Sequence, residues 1–237
     1  MENVSPASYD SYIKALTDIS RAITSDLFIG DILKLIVLVT AKVTGMDICS
    51  LWLLEEGRDE KKKLRLAATQ AMDPDYLKDR TLEMGEGVVG HVAQNNRRMI
   101  IPDVLSEPRF KERDMAVKLS LVSMLSVPLS IKDNEVIGVL NCFTCEPHEF
   151  TETELNLITT VASQASLAIH NTRLMVKARV IEEELATRKK IERAKEIVMA
   201  QKKLAADQAF RWLQKKSMDT RKSMKEIAEA ILLSADL

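Results

Sequence analysis

The chain has 237 residues, 46% of them apolar and 29% charged, with a net charge of −1, which suits one or two domains with a buried core. The longest apolar run, Ile32 to Val39, is interrupted by Lys34 and falls short of the ~20 residues that cross a bilayer. No basic stretch leads into an apolar segment at the start, and three cysteines at irregular spacing make no disulfide framework, so no signal peptide, membrane span or secreted scaffold is expected, and the reading is a cytoplasmic protein without a membrane partner.

The near-neutral total conceals an asymmetry. Residues 1–175 carry 19 Lys+Arg against 25 Asp+Glu, a net of −6, whereas residues 176–237 carry 15 against 10, a net of +5. An acidic body with a basic tail fits two domains, 1–175 and 176–237, the second facing a polyanion such as RNA or DNA.

Residues 9–44 read as helical. Tyr12, Leu16, Ile19 and Ile23 keep a three-to-four spacing, as do Ile32, Leu33, Ile36, Val37 and Thr40 after Gly30, with Asp31 as an N-cap. The period then changes. Asp47 to Leu54 and Leu64 to Thr69 read as a strand pair around the polar turn Glu55 to Asp59, with Lys61, Lys62 and Lys63 in the hairpin loop. Gly85 to Ala93 reads as a tight turn entering a short helix, and Arg98 to Val104 as a strand. Leu125 to Ser130 and Val136 to Phe143 form a second hairpin, in which Pro128 requires an edge position or a bulge. Thr151 and Glu154 make a capping box for the next helix. Hairpin-linked strands between helices predict α+β with an antiparallel sheet.

Helical periodicity persists from Thr151 onward. Leu157, Ile158, Val161, Ala165 and Ala168 form a face that packs on the sheet. Leu167, Asn171, Leu174, Ala178, Ile181 and Leu185 step by 4-3-4-3-4. That seam has coiled-coil period and predicts a homodimer, the alternative being an amphipathic helix lying on its own domain. After Glu182 no strand signal occurs. Breaks near Lys203-Leu204 and at Ser217 to Thr220 divide the tail into three helices, with Asp219 or Thr220 capping the last. The expected architecture is an antiparallel α+β domain with flanking helices, then an all-α three-helix domain, joined by a coiled-coil helix.

Gly85-Glu-Gly87-Val-Val-Gly90 matches G-x-G-x-x-G, but no buried parallel strand precedes it, so its glycines serve a turn before a helix and not a dinucleotide. Cys142 and Cys145 stand i, i+3 on a strand, on opposite faces, and read as buried apolar cysteines. His91, His148 and His170 complete no catalytic or metal-binding pattern, so no cofactor, metal or nucleotide motif is assigned and no enzyme is expected. In the tail, Arg188, Arg193, Lys195, Arg211, Lys215, Arg221 and Lys222 lie on helices where they can neutralise phosphates. Trp212 either stacks on an unpaired base or packs against the long helix.

Residues ~12–175 resemble a GAF domain through Gly85-Glu-Gly-Val-Val-Gly, Ile101-Pro-Asp-Val, Pro108-Arg-Phe, Ser126-Val-Pro-Leu, Val136-Ile-Gly-Val-Leu and Phe150-Thr. The resemblance implies a sheet with helices on one face and a pocket on the other for a small-molecule ligand, with Trp52, Val88, Asp103, Phe110, Met115 and Asn141 as candidate pocket residues. The ligand's identity does not carry over, because Asn141 is followed by Cys142 and not by the lysine of cyclic-nucleotide binders. Residues ~176–237 resemble an ANTAR domain: Arg188-Lys-Lys-Ile-Glu-Arg-Ala-Lys-Glu-Ile-Val-Met199 follows that family's R-x-x-I-x-x-A-K-G-I-L-M, with Glu196 in place of Gly. This resemblance implies binding of RNA stem-loops in nascent transcripts, as a dimer, to prevent termination. Together they point to a ligand-responsive antitermination regulator. A dimeric sensor acting through protein contacts is the alternative. A thiol-dependent reductase is the third reading, although Cys49, Cys142 and Cys145 follow no matching pattern.

Overall fold

A computed structural model of the chain describes residues 29–56, 62–71 and 80–235. The helical positions expected at Tyr12, Leu16, Ile19 and Ile23, the turn residues Gly57 to Asp59, and Lys61 lie outside that set. The chain divides into two compact units between Arg173 and Leu174.

The first unit begins with helix α1 (Ile29–Thr44), followed by strands β1 (Ile48–Glu56), β2 (Lys62–Thr69) and β3 (Thr81–Glu83). Helix α2 (Gly87–Asn95), strand β4 (Met99–Ile101) and helix α3 (Arg113–Lys118) come next. A hairpin of β5 (Ser123–Ser130) and β6 (Val136–Thr144) leads into helix α4 (Glu152–Lys202). The strands lie in the order β3-β2-β1-β6-β5-β4, and every neighbouring pair is antiparallel. The α+β antiparallel architecture is therefore as the patterning predicts.

Alternation along the strands sends side chains to two faces. Cys49, Leu51 and Leu53 of β1, with Leu125, Val127, Leu129, Leu140 and Cys142, form one core against Ile32, Ile36 and Val37 of α1 and Leu155, Ile158, Ala162, Ala165 and Ile169 of α4. The opposite face carries Trp52, Met124, Val139 and Phe143 and is covered by Val88, Val89 and Val92 of α2, Phe110 and Ala116. The α4 start is fixed as its sequence requires: Glu154 N–H donates to Thr151 Oγ1 at 3.3 Å, and Thr151 N–H donates to Glu154 Oε2 at 2.7 Å.

Three local expectations are corrected. Asp31 lies inside α1 and pairs with Lys34, so it is not the cap. Lys62 and Lys63 belong to β2, where they oppose Glu56 and Glu55. The strand expected over Arg98 to Val104 shrinks to Met99–Ile101, because Pro102 has no N–H for a ladder. Helix α3, six residues without an apolar period, was not foreseen. Pro128 stands where β5 has run past the end of β4, whose pairing covers only Met124 to Ser126, so its missing donor leaves no ladder bond unmade on that side.

In the second unit the remainder of α4 is joined by α5 (Ala206–Thr220) and α6 (Met224–Ala235). Val198, Ala209, Leu213 and Ile227 are its buried centre, with Ile191, Met199, Leu204, Met224 and Ile231 packed around them. Lys203 adopts φ +52° and ends α4 at the expected break. The second break falls later than expected. Arg221 takes φ +53°, and Ser223, not Asp219 or Thr220, caps α6: Glu226 N–H donates to its Oγ at 3.2 Å while Ser223 N–H donates to Glu226 Oε2 at 2.7 Å. Among the described residues no helix is long and apolar enough to cross a membrane.

Candidate ligand cavity and nucleic-acid interface

The glycine-rich turn sets one wall of an internal cavity in the first unit. Gly85 (φ +82°) and Gly87 (φ +64°) adopt left-handed backbone, and a Cβ on Gly90 would meet the Glu83 carbonyl oxygen at 2.4 Å. These demands account for all three glycines, and β3 before them is an antiparallel edge strand. The turn presses α2 against the sheet over a cavity of about 30 Å³, room for about two waters. Trp52, Val88, Phe110, Met115 and Asn141 line it, together with Leu82, Met124 and Phe143. Phe110 meets Phe143 edge-on, with ring centroids 6.3 Å apart.

Two polar features lie on this apolar surface. Among the described residues the Trp52 indole N–H is buried without a hydrogen-bond partner. Asn141 stands in register between Ser50 and Ser126; its Oδ1 accepts from Ser126 Oγ at 2.7 Å and its Nδ2 donates to Ser50 Oγ at 3.4 Å. The amide is thereby largely satisfied within the sheet, and the indole donor is left for an incoming acceptor. At the mouth, Lys111 pairs with Glu86 and Arg80 with Glu112. Asp103 does not line the cavity, which corrects its assignment. Its carboxylate accepts from Leu105 N–H at 2.9 Å and Ser106 Oγ at 2.5 Å, and the hydroxyl, then the amide, hold it below its usual range.

The cysteines take a different arrangement from the C-x-x-C pattern. Cys49 and Cys142 oppose each other on β1 and β6, on the face covered by α1 and α4, with Sγ atoms 3.6 Å apart. That hydrogen bond, and then burial, push the Cys49 thiol well above its ordinary range, so it is a poor nucleophile. Cys145 lies elsewhere, its thiol donating to the Leu119 carbonyl at 3.5 Å. Among the described residues no group of three or more His, Cys, Asp or Glu could hold a metal.

The basic residues of the second unit divide by face. At ~100° per residue Arg188 and Lys195 share one face of α4, whereas Arg193 lies about 140° around the helix from Arg188. The expected set therefore does not form one surface. Arg188, Arg193, Arg211, Lys215, Arg221 and Lys222 are exposed, and Lys195 is half-buried and paired with Glu192. Arg188 borders a groove with Lys225, Thr187 and Glu184. Trp212 is partly packed on the helical core and carries Lys202 and Lys216 over its ring at 5.0 and 5.8 Å. The two lysines therefore screen the ring, and base stacking would have to displace at least one of them. Lys190 bonds Glu229 of α6 at 2.7 Å and is a structural cation.

The GAF domain family matches residues 29–169, more than half of the chain. The chain belongs to the GAF domain family. The ANTAR domain family matches residues 179–232, directly after it. The GAF unit superposes on the GAF domain of a phosphoenolpyruvate-protein phosphotransferase from Coxiella burnetii with a TM-score of 0.61, at 25% identity over 73% of this chain and 99% of that one. In sequence it is 25% identical over 171 residues, 68% of this chain, to the dual 3',5'-cyclic-AMP and -GMP phosphodiesterase 11A of Takifugu rubripes, of which that covers 19%. The ANTAR unit is 40% identical over 52 residues, 22% of this chain, to the transcriptional regulatory protein PdtaR of Mycobacterium tuberculosis, of which that covers 25%. The chain thus spans a quarter or less of the length of these curated relatives. GAF and ANTAR domains are regulatory modules: a sensor followed by an RNA-binding domain.

The sequence places Lys202, Lys216 and Lys225 among the basic clusters of the tail that could neutralise phosphates, without singling them out as site residues. The i, i+4 spacing of Trp212 and Lys216 was a usable signal, whereas the approach of Lys202 depends on how α4 and α5 pack.

Proposed function

We propose that the chain is a ligand-responsive, non-catalytic regulator that binds stem-loops in nascent RNA through its ANTAR unit and prevents transcription termination. The observation that carries this reading is the order of the domains, a GAF sensor followed immediately by an ANTAR unit whose exposed cations mostly lack a carboxylate partner among the described residues. Arg188 with Lys195, then Arg211, Lys215, Arg221 and Lys222, contact phosphates. The ligand enters the Trp52 cavity and is largely apolar, with one acceptor for the indole N–H; the cavity widens to take it. Two copies pair along Leu167, Asn171, Leu174, Ala178, Ile181 and Leu185, and the ligand acts by favouring one paired arrangement over another.

The test is fluorescence anisotropy of the full chain with a tandem stem-loop RNA and a scrambled control at two salt concentrations. Selective binding, with a log–log salt slope shallower by roughly 1–2 in R188A/K195A, supports the reading. Equal and salt-erased binding to both RNAs refutes it. A second reading, a dimeric sensor that works through protein contacts alone, draws on the exposed apolar side chains Leu174, Met175, Val176, Val180, Ile181 and Leu185.

A further inference from the structure

A second, polar cleft of about 520 Å³ opens on the GAF unit at the C-terminal end of α2. His91, Asn95, Arg97, Arg98, Met99 and Arg109 line it, and none of them lines the Trp52 cavity. Three arginines thus line one cleft of a region, residues 1–175, whose net charge is −6, and Arg98 also borders a neighbouring groove with Asn96 and Ser130. Arg97 and Arg98 have no hydrogen bond or ion pair among the described residues, and Arg109 has one distant carboxylate, Glu107 Oε1 at 3.9 Å.

The ordinary structural use of arginine after a helix is to satisfy the last carbonyls. That use is not made here. The His91 carbonyl accepts from Asn95 Nδ2 at 2.8 Å, the helix closes on Asn96 with φ +48°, and no guanidinium bonds to α2 among the described residues. Three planar forks, each with five N–H donors, are left facing solvent in a concavity of small-ligand size.

We propose that this cleft binds a compact multivalent oxyanion, a phosphate ester or a polycarboxylate, gripped by Arg97, Arg98 and Arg109; the Asn95 amide is already engaged with His91 and borders the site without donating to it. Arginine forks match the paired oxygens of both groups. The cleft shares two walls with the Trp52 cavity: Gly87, Val88 and Val89 of α2 line the cavity while His91 and Asn95 line the cleft, and Arg109 directly precedes Phe110 and Lys111 of the cavity wall. An anion seated there lies against the same two segments that enclose Trp52.

The test is calorimetric titration of the full chain at low ionic strength with sodium pyrophosphate, sodium citrate and ionic-strength-matched sodium chloride. Wild type, R97A/R98A/R109A and the tail variant R188A/K195A are compared. All three cleft arginines are exposed, so the triple variant is expected to keep its melting temperature; R98A and R109A singly, each expected to lose several-fold, serve if it does not. Saturable binding of pyrophosphate or citrate, weakened at least tenfold in the triple variant and unchanged in R188A/K195A, supports the site, and the tighter titrant names the class. Binding indifferent to the three arginines, lost in the tail variant, or absent for both anions overturns it. Dependence of stem-loop RNA binding, and not of small-anion binding, on these arginines also overturns it, in favour of an RNA contact.

Discussion

Replacing Gly90 with alanine tests whether the Gly85-x-Gly87-x-x-Gly90 pattern builds the fold or grips a phosphate. The new Cβ would lie 2.4 Å from the Glu83 carbonyl oxygen and 3.0 Å from Gly85 N, both backbone atoms. That backbone is pinned, with Gly85 N–H donating to Gly90 O at 3.0 Å and Gly90 N–H to Glu86 O at 2.9 Å, so the obstruction cannot swing aside. Helix α2 must yield by roughly 1 Å, carrying Val88, Val89 and Val92 with it, and overpacking of this kind costs about 1–3 kcal/mol. At roughly 2–4 °C per kcal/mol, the GAF transition should fall by about 2–12 °C in scanning calorimetry. Gly30→Ala is the control: a Cβ there meets nothing within 4 Å, and alanine in α1 should raise stability by up to about 1 kcal/mol. A Gly90→Ala protein that melts within 1 °C of wild type, or that keeps its stability while losing affinity for a mononucleotide, refutes the reasoning.

Three further outcomes are expected. Leu213→Ala removes a side chain that is 1% exposed from a small core; at a cost of about 2–5 kcal/mol it should unfold the ANTAR unit and abolish RNA binding, leaving the GAF transition in place by calorimetry. L174K/I181K alters positions that are 50% and 64% exposed, so it should leave the fold intact and convert a dimer to a monomer in light scattering; a dimer that persists shows the seam is elsewhere. Glu229 is held below the usual carboxylate range by its bond from Lys190, and Glu226 by the Ser223 amide and hydroxyl. Because the folded values are depressed, the stability is full above the ordinary Glu value of about 4.3 and is lost as pH falls through the lowered values. Circular dichroism on acidification should show ANTAR helicity falling in that window, and E226Q/E229Q should flatten the dependence; an unchanged acid profile counts against both contacts.

Much of the fold was legible because it depends on local chemistry. The switch from a three-to-four spacing in α1 to alternation in β1 marks the sheet, and Thr151 with Glu154 marks the start of α4. The same Ser/Thr-x-x-Glu rule was present at Ser223 and Glu226, yet the earlier polar run from Ser217 to Thr220 drew the break forward. The helix instead continues through it, with Thr220 Oγ1 bonding back to the Lys216 carbonyl at 2.7 Å. What was illegible depends on pairing across distance. The Cys49–Cys142 contact and the Ser50-Asn141-Ser126 row follow from strand register between residues up to 93 apart. Asp103 read as a polar group free for a ligand, but an acid two residues before a backbone N–H closes a local turn instead. The anion cleft was equally hidden, since Arg109 joins Arg97 and Arg98 only through the path of the chain from β4 to α3.

Single-round transcription in vitro decides whether this chain acts on RNA to prevent termination. A template carrying tandem stem-loops that overlap an intrinsic terminator is transcribed by purified RNA polymerase with and without the protein. Read-through is expected to increase with wild type, less so with R188A/K195A, and not at all when the stem-loops are scrambled. Read-through that does not respond to the protein, or that rises equally on the scrambled template, contradicts it.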